Sequence, residues 1–265
     1  MRSYLYVPAD NARFLEKAET SEADAIILDL EDSVKVSAKN IAEGQLSEFL
    51  STSQRINLML RVEPNRISFE EELINHPKIT KIYLPKANSL AAVQELNKHN
   101  KTNKPIHALI ESSSGIENIS EIATADNVVS LGIGEADFFG EISLSEEIHP
   151  AIKSYVRSKV VIASAAFNLR PPVAPVSSNF KDLENFADET KEFLAMGYWG
   201  RACIHPSQVE IANEIFTPNS KLKERAQKII ALLEHSQSGA TVDDQGQMID
   251  VAHLKWARRY LDLTN

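Results

Sequence analysis

Acids and one arginine stand at the ends of short apolar runs along the chain. Asp29, Glu31 and Asp32 lie at the end of the run Ala25–Leu30, and Arg61 lies near the end of Leu58–Val62. Lys86 follows the run Lys81–Leu84, and Glu111 follows Ile106–Ile110. The run Val128–Ile133 leads through Gly134 to Glu135 and Asp137. Carboxylates from adjacent strand ends, here Glu111 and Asp137, can converge on one point. Mg²⁺ suits such a pair, because it prefers oxygen ligands and takes one or two protein carboxylates, leaving its other positions to water and substrate. Arg61 beside them can stabilise an oxyanion or clamp a carboxylate; the alternative is an ion pair with Glu63 or with the acids of the second run.

Each residue also has a plainer reading. A lone acid at a strand end is as often a rim residue or a helix N-cap. Asp29, Glu31 and Asp32 cannot all be ligands, because residues alternate faces along a strand. One of them is expected to brace Arg61 or the metal's waters, and another to cap the next helix. Lys86 reads either as a substrate contact or as a rim salt bridge. His205, between a strand and Pro206, reads as a structural hydrogen-bonding group, and Cys203 as a small buried hydrophobe. Arg13 and Lys17, near the first βα connection, can reach a phosphate, although a solvated helix face accounts for them as well. The seven histidines are scattered and show no zinc spacing.

The elements that must position these groups alternate. Candidate strands are Tyr4–Val7, Ala25–Leu30, Leu58–Val62, Lys81–Leu84, Ile106–Ile110, Val128–Ile133, Val173–Val176 and Ala202–Ile204, most of them rich in Val, Ile, Leu or Tyr. Helical patterns lie between them. Residues 11–20 place Phe14, Leu15 and Ala18 on one stripe, and 182–196 carry Leu183, Phe186, Thr190 and Phe193 at helical spacing before Gly197. Eight strands alternating with helices predict an α/β protein of the (β/α)₈ TIM-barrel class, whose active sites lie at the C-terminal strand ends. A doubly wound open sheet is the alternative, weakened by the absence of G-x-G-x-x-G after any strand.

Beyond the barrel, expected to span residues 1–216 as the catalytic domain, the pattern changes. Thr217-Pro218 opens a helix with Leu222, Ala226, Ile229, Ile230 and Leu233 on one face. Residues 236–247 are polar, carry Gly239 and Gly246, and read as an exposed linker. A last amphipathic helix follows, about Val251 to Leu261. Its apolar stripe (Leu254, Ala257, Leu261) needs a partner, on this chain or on a neighbouring subunit. Residues 217–265 therefore read as a C-terminal helical extension.

Composition narrows the function classes. The 265 residues fit one large domain plus this extension, and 43% hydrophobic residues allow a sizeable core. The net charge of −9 argues against nucleic acid as the main partner. No stretch approaches the length of a membrane span. The chain has a single cysteine, and Met1 leads into Arg2-Ser3 without a long apolar leader. A soluble, cytoplasmic protein is expected.

The pieces together resemble a known pattern. Arg2-Ser3-Tyr4-Leu5-Tyr6-Val7-Pro8, Leu28-Asp29-Leu30-Glu31-Asp32-Ser33-Val34, Leu60-Arg61-Val62 and Leu84-Pro85-Lys86 come first. Ile110-Glu111-Ser112, Gly134-Glu135-Ala136-Asp137-Phe138, Ile204-His205-Pro206-Ser207-Gln208 and Gly246-Gln247-Met248-Ile249-Asp250 follow. In this order, over nearly the whole chain, they resemble the citrate lyase β-subunit-like group of the HpcH/HpaI aldolase family. The resemblance implies a TIM barrel with Mg²⁺ on Glu111 and Asp137, and Arg61 in contact with substrate. It implies that Asp250, which spacing alone does not single out, enters a neighbour's active site as general acid/base in a homo-oligomer, a trimer or hexamer. The chain departs at Glu63, where several relatives have Asn. It departs again at residues 170–176, where some carry an Asp, and it leaves little room for extra lid segments.

The implied reaction makes or breaks a carbon–carbon bond of a 3-hydroxy-3-carboxy acyl-CoA of the citramalyl, malyl or citryl type. The partners are an acyl-CoA ester and a 2-oxo acid. The alternatives are a citrate lyase β subunit acting on citryl-acyl-carrier protein, a CoA-independent 2-oxo acid aldolase, and a non-catalytic barrel that binds acyl-CoA.

Overall fold

A computed structural model describes residues 1–145, 148–235 and 239–264. The chain forms two compact units, Met1–Phe216 and Thr217–Asn265.

In the first unit, β1 (Ser3–Pro8) is followed by α1 (Ala12–Glu19), β2 (Ala25–Asp29) and α2 (Lys39–Thr52). Next come β3 (Leu58–Arg61), α3 (Glu71–Ile74), β4 (Ile79–Leu84), α4 (Leu90–His99) and β5 (Ile106–Ile110). The helices α5 (Ser113–Glu117) and α6 (Ile119–Ala123) lead to β6 (Val128–Ile133), α7 (Glu135–Ile142) and α8 (Pro150–Ala166). The unit ends with α9 (Leu183–Met196), β7 (Arg201–Cys203) and α10 (Pro206–Ile215).

All seven strands are parallel in one sheet of order β6-β5-β4-β3-β2-β1-β7. Both faces are covered, which is why β2 and β5 are buried at every position rather than alternating with polar residues. The two-residue period sorts their side chains. Leu28, Leu60, Ile82, Ala108 and Leu131 join the helices in the main core. Tyr4, Ala25, Ile27, Met59, Tyr83, Val173 and Ala202 cluster on the other face.

The expected strand Val173–Val176 is reduced to two parallel bridges, Val173 with Gly132 of β6 and Ala174 with Arg201 of β7. The reason is chemical: Pro171, Pro172 and Pro175 have no N–H to donate to a ladder. Elsewhere the helix signals match local geometry. Asn11 caps α1 by accepting from Phe14 N at 3.2 Å. Asp182 caps α9, which stops at Gly197 in the left-handed region (φ 103°).

The second unit holds α11 (Ser220–Glu234), a hairpin of β8 (Ala240–Val242) and β9 (Met248–Asp250), and α12 (Val251–Thr264). Residues 236–238 of the expected linker lie outside the described residues. The remainder corrects that expectation, because from Ala240 it is a hairpin. Asp243 Oδ1 accepts from Gln245 N and Gln247 N, and Gly246 takes φ 77°, so the residues that suggested a linker make its turn. Ala226, Ile229, Ile249 and Ala257 form the core of this unit, with Ile230, Leu233, Tyr260 and Leu261 against it. Ala257 and Leu261 of the last helix thus find apolar partners within their own unit. Among the described residues no helix is long and apolar enough to cross a membrane.

Candidate functional site

A cavity of about 310 Å³ opens in the first unit, lined by Tyr6, Asp29, Arg61, Tyr83, His107, Glu111, Asp137 and others. Arg61, Glu111 and Asp137, singled out in the sequence from three strand ends, therefore line one space.

Glu111 follows β5 and is buried. Its Oε2 accepts from Lys86 N at 2.7 Å, and burial pushes the carboxyl up to about 7 against the opposing pull of that N–H and of Arg61. Lys86 turns with φ 52°, a strained value for a non-glycine residue, in making this contact. Among the described residues no cationic side chain forms an ion pair with Glu111. Asp137 sits exposed in the first turn of α7, and its charge adds to the upward push on Glu111. The neighbouring acid Glu135 is already engaged, receiving hydrogen bonds from Arg157 Nε at 2.5 Å and Nη2 at 2.8 Å. Glu111 and Asp137 thus remain as oxygen donors for a hard divalent cation. No cluster of three or more His, Cys, Asp or Glu side chains with metal-binding geometry exists among the described residues.

Arg61 ends β3 opposite Asp29 in register on β2. Its Nε and Nη2 donate to the two Asp29 oxygens at 2.7 and 2.6 Å, and Nη1 lies 3.0 Å from Glu31 Oε2. Burial works against the charge, but the Asp29 hydrogen bonds, helped by Tyr6 and Glu31, leave the guanidinium pKa raised. Its Cζ stands 4.9 Å from the Tyr6 ring centre. A guanidinium carries five N–H groups. Asp29 takes two and the Glu31 contact engages Nη1, so up to two donors remain for a ligand.

The strand-end acids divide their work differently from expectation. Asp29 and Glu31 both brace Arg61. Lys86 Nζ pairs with Glu31 and lies 3.2 Å from Asp32. The first residues of α2 have no side-chain cap, so none of these acids caps that helix. Lys86 is in the rim ion pair. Glu63 pairs with Lys39 at 2.8 Å, not with Arg61. His205 caps α10, its Nδ1 accepting from Ser207 N while Gln208 completes the capping box. Cys203 is buried, and that burial pushes its thiol up to about 12.

Arg13 and Lys17 are exposed on α1 and do not line the cavity. Asp250 lies in the second unit. Its Oδ1 accepts from Ala252 N at 2.9 Å and meets His253 Nδ1 at 2.8 Å, and that His253 contact lowers the carboxyl.

Sequence reasoning missed the aromatic floor. Tyr83 stacks on His107 with ring centres 4.1 Å apart, and His107 is fixed by Ser130 Oγ at 2.9 Å. The available signal was register: Tyr83 pairs with His107, and His107 with Ser130, so all face the interior in one row.

The sequence model of the HpcH/HpaI aldolase/citrate lyase family matches residues 2–206. The chain belongs to this family. Among its members, a (3S)-malyl-CoA thioesterase of Cereibacter sphaeroides is 32% identical over 98% of this chain and 93% of the relative. An L-malyl-CoA/beta-methylmalyl-CoA lyase of the same species is 27% identical over 97% and 92%. CitE from Mycobacterium tuberculosis, solved in complex with magnesium, acetoacetate and coenzyme A, superposes with a TM-score of 0.75 at 28% identity. That match covers 99% of this chain and 97% of the solved one.

Proposed function

We propose that the chain is a Mg²⁺-dependent carbon–carbon lyase acting on a 3-hydroxy-3-carboxy acyl-CoA of the citramalyl, malyl or citryl type. It releases acetyl-CoA or a homologue and a 2-oxo acid, or joins them in reverse. One observation carries this reading: Glu111 is a buried carboxylate with no cationic side chain paired to it among the described residues, in one cavity with Asp137 and the braced Arg61.

Glu111 and Asp137 would hold the cation, which when bound supplies a Lewis acid for the hydroxyl and carboxylate oxygens of the ester. Arg61 donates its remaining N–H groups to the thioester oxygen, where negative charge grows as the C–C bond breaks. The electron pair of that bond becomes the thioester enolate, the hydroxyl proton passes to the Asp250 carboxylate, and the hydroxyl carbon becomes the oxo carbon. Asp250 then gives that proton to the enolate carbon, so no proton is gained or lost overall. The aromatic floor keeps bulk water from the enolate.

Several finer assignments go with this reading. The bridges of Val173 and Ala174 to the two edge strands support a closed (β/α)₈ barrel, with residues 1–216 as the catalytic domain. Residues 217–265 present Asp250 to a neighbouring subunit in a homotrimer or hexamer. Arg13 and Lys17 are the exposed cations available to CoA phosphates, and the lone thiol suits a reducing cytoplasm.

Thioester hydrolysis is a second reading, favoured by the 32% identity to a (3S)-malyl-CoA thioesterase. One experiment separates the two. A panel of citramalyl-, malyl- and citryl-CoA, with citryl-acyl-carrier protein and the free hydroxy acids alongside, is incubated with Mg²⁺. It is scored for 2-oxo acid and for free thiol. Pyruvate, glyoxylate or oxaloacetate formed with an intact thioester supports the lyase. Free CoA with intact hydroxy acid supports the hydrolase. No metal-dependent turnover would leave a binding barrel.

A further inference from the structure

Lys39 is a buried cation with no part in the chemistry above. It opens α2, is 3% exposed, and lies outside the residues lining the cavity. Its ammonium donates to Leu30 O at 2.6 Å, Glu31 O at 2.8 Å and Glu63 Oε2 at 2.8 Å. An ammonium has three donors and no acceptor, so all three are in use. Two of the partners are main-chain carbonyls of the turn that leaves β2. The third is two residues past Arg61 on β3.

That turn carries the braces of the site. Asp29 and Glu31 hold Arg61, Asp29 Oδ1 also accepts from Glu31 N at 2.9 Å, and Glu31 pairs with Lys86, whose N–H holds Glu111. Glu63 is fixed from behind, since its N–H donates to the fully buried Glu70 carboxyl at 3.1 and 3.3 Å. The path from Lys39 to both functional side chains is thus continuous: through Glu31 to Arg61, and through Glu31 and Lys86 to Glu111.

We propose that Lys39 is a positioning residue: its ammonium crosslinks the turn after β2 to Glu63 and so sets the placement of Arg61 and Glu111 for catalysis. The proposal rests on the lyase reading for its activity measurement only. A displacement of about 1 Å at a reacting group costs about 10²-fold in rate. Lys39→Met should therefore lower kcat by about that factor while KM stays near the wild-type value.

The test compares Lys39→Met, Lys39→Arg and the pair Lys39→Met with Glu63→Gln. The pair removes the stranded charge on Glu63, so its melting temperature should recover toward wild type while kcat remains low. Lys39→Arg should restore part of kcat. In an Arg61→Lys background Lys39→Met should cost much less than in the wild type, because residues acting through one contact are not additive. Activity that simply follows the melting temperature across these variants, or full additivity with Arg61→Lys, would overturn the proposal. If wild-type protein turns over no ester, the lyase reading fails, and the crosslink is decided by amide hydrogen exchange at Leu30, Glu31 and Asp32. Lys39→Met should speed that exchange and Lys39→Arg should not; unchanged exchange overturns the crosslink too.

Discussion

Gly134 sits against Glu111 so closely that a Cβ built on it would meet Oε1 at 2.5 Å and Cγ at 2.6 Å. The backbone there has φ −94°, which any residue adopts, so space and not conformation calls for glycine. The end of β6 is thereby pressed onto the carboxylate at the end of β5. Gly134→Ala should displace Glu111 with little backbone strain. Mg²⁺ affinity should fall by about 10- to 100-fold, as when a ligand loses its support. Calorimetric titration of the variant checks this, and wild-type affinity would mean that Glu111 adapts or does not bind metal.

Arg61→Lys keeps a charge but loses the planar fork that reaches both Asp29 oxygens. Turnover should fall by about 10²-fold or more, as for loss of an oxyanion donor. Steady-state kinetics at saturating Mg²⁺ decides the point. Near-wild-type kcat would reduce Arg61 to an ion-pair partner of Asp29.

Burial pushes the Glu70 carboxyl up to about 8, from an ordinary value of 4.5. Between those values the folded chain keeps a proton that the unfolded chain has lost. The stabilising effect is therefore full below about pH 4.5 and is lost as pH rises toward 8. Glu70→Gln, which cannot ionise, should flatten the decline of melting temperature across that window. An unchanged slope would show that Glu70 is not held protonated. Glu111, pushed up to about 7, adds a second dependence: a proton competes with Mg²⁺, so apparent affinity should weaken about tenfold per pH unit below 7.

Asp250→Asn and Glu111→Ala should each be inactive alone and regain partial activity when co-assembled. Some mixed interfaces then join an intact cavity to an intact tail. Mixing that restores nothing, after subunit exchange has been verified by mass, would place Asp250 outside a shared site.

Much of this was legible because strand ends concentrate function in parallel α/β folds. That Glu111, Asp137 and Arg61 line one cavity was legible from residue type and position alone, and the parallel strands from their apolar runs. Residue type and position did not single out Asp250, since an acid before a helix reads first as a cap, which is its local role here. Residues 173–176 have a strand's apolar pattern, but the prolines leave only two bridges. β8 and β9 are three residues each, too short for a two-residue period to register. Lys39 left no signal, because its partners are two backbone carbonyls and a side chain 24 positions away. Contacts of that kind depend on the folded path of the chain.

Calorimetric titration of Mg²⁺ into the metal-free protein tests the central claim most directly, with the variant Glu111→Ala/Asp137→Ala titrated in parallel. Binding of a single Mg²⁺ per chain by the wild type, lost in a double variant that still melts cooperatively, is the predicted result. Undiminished binding in the double variant would contradict the assignment of this pair and the mechanism built on it.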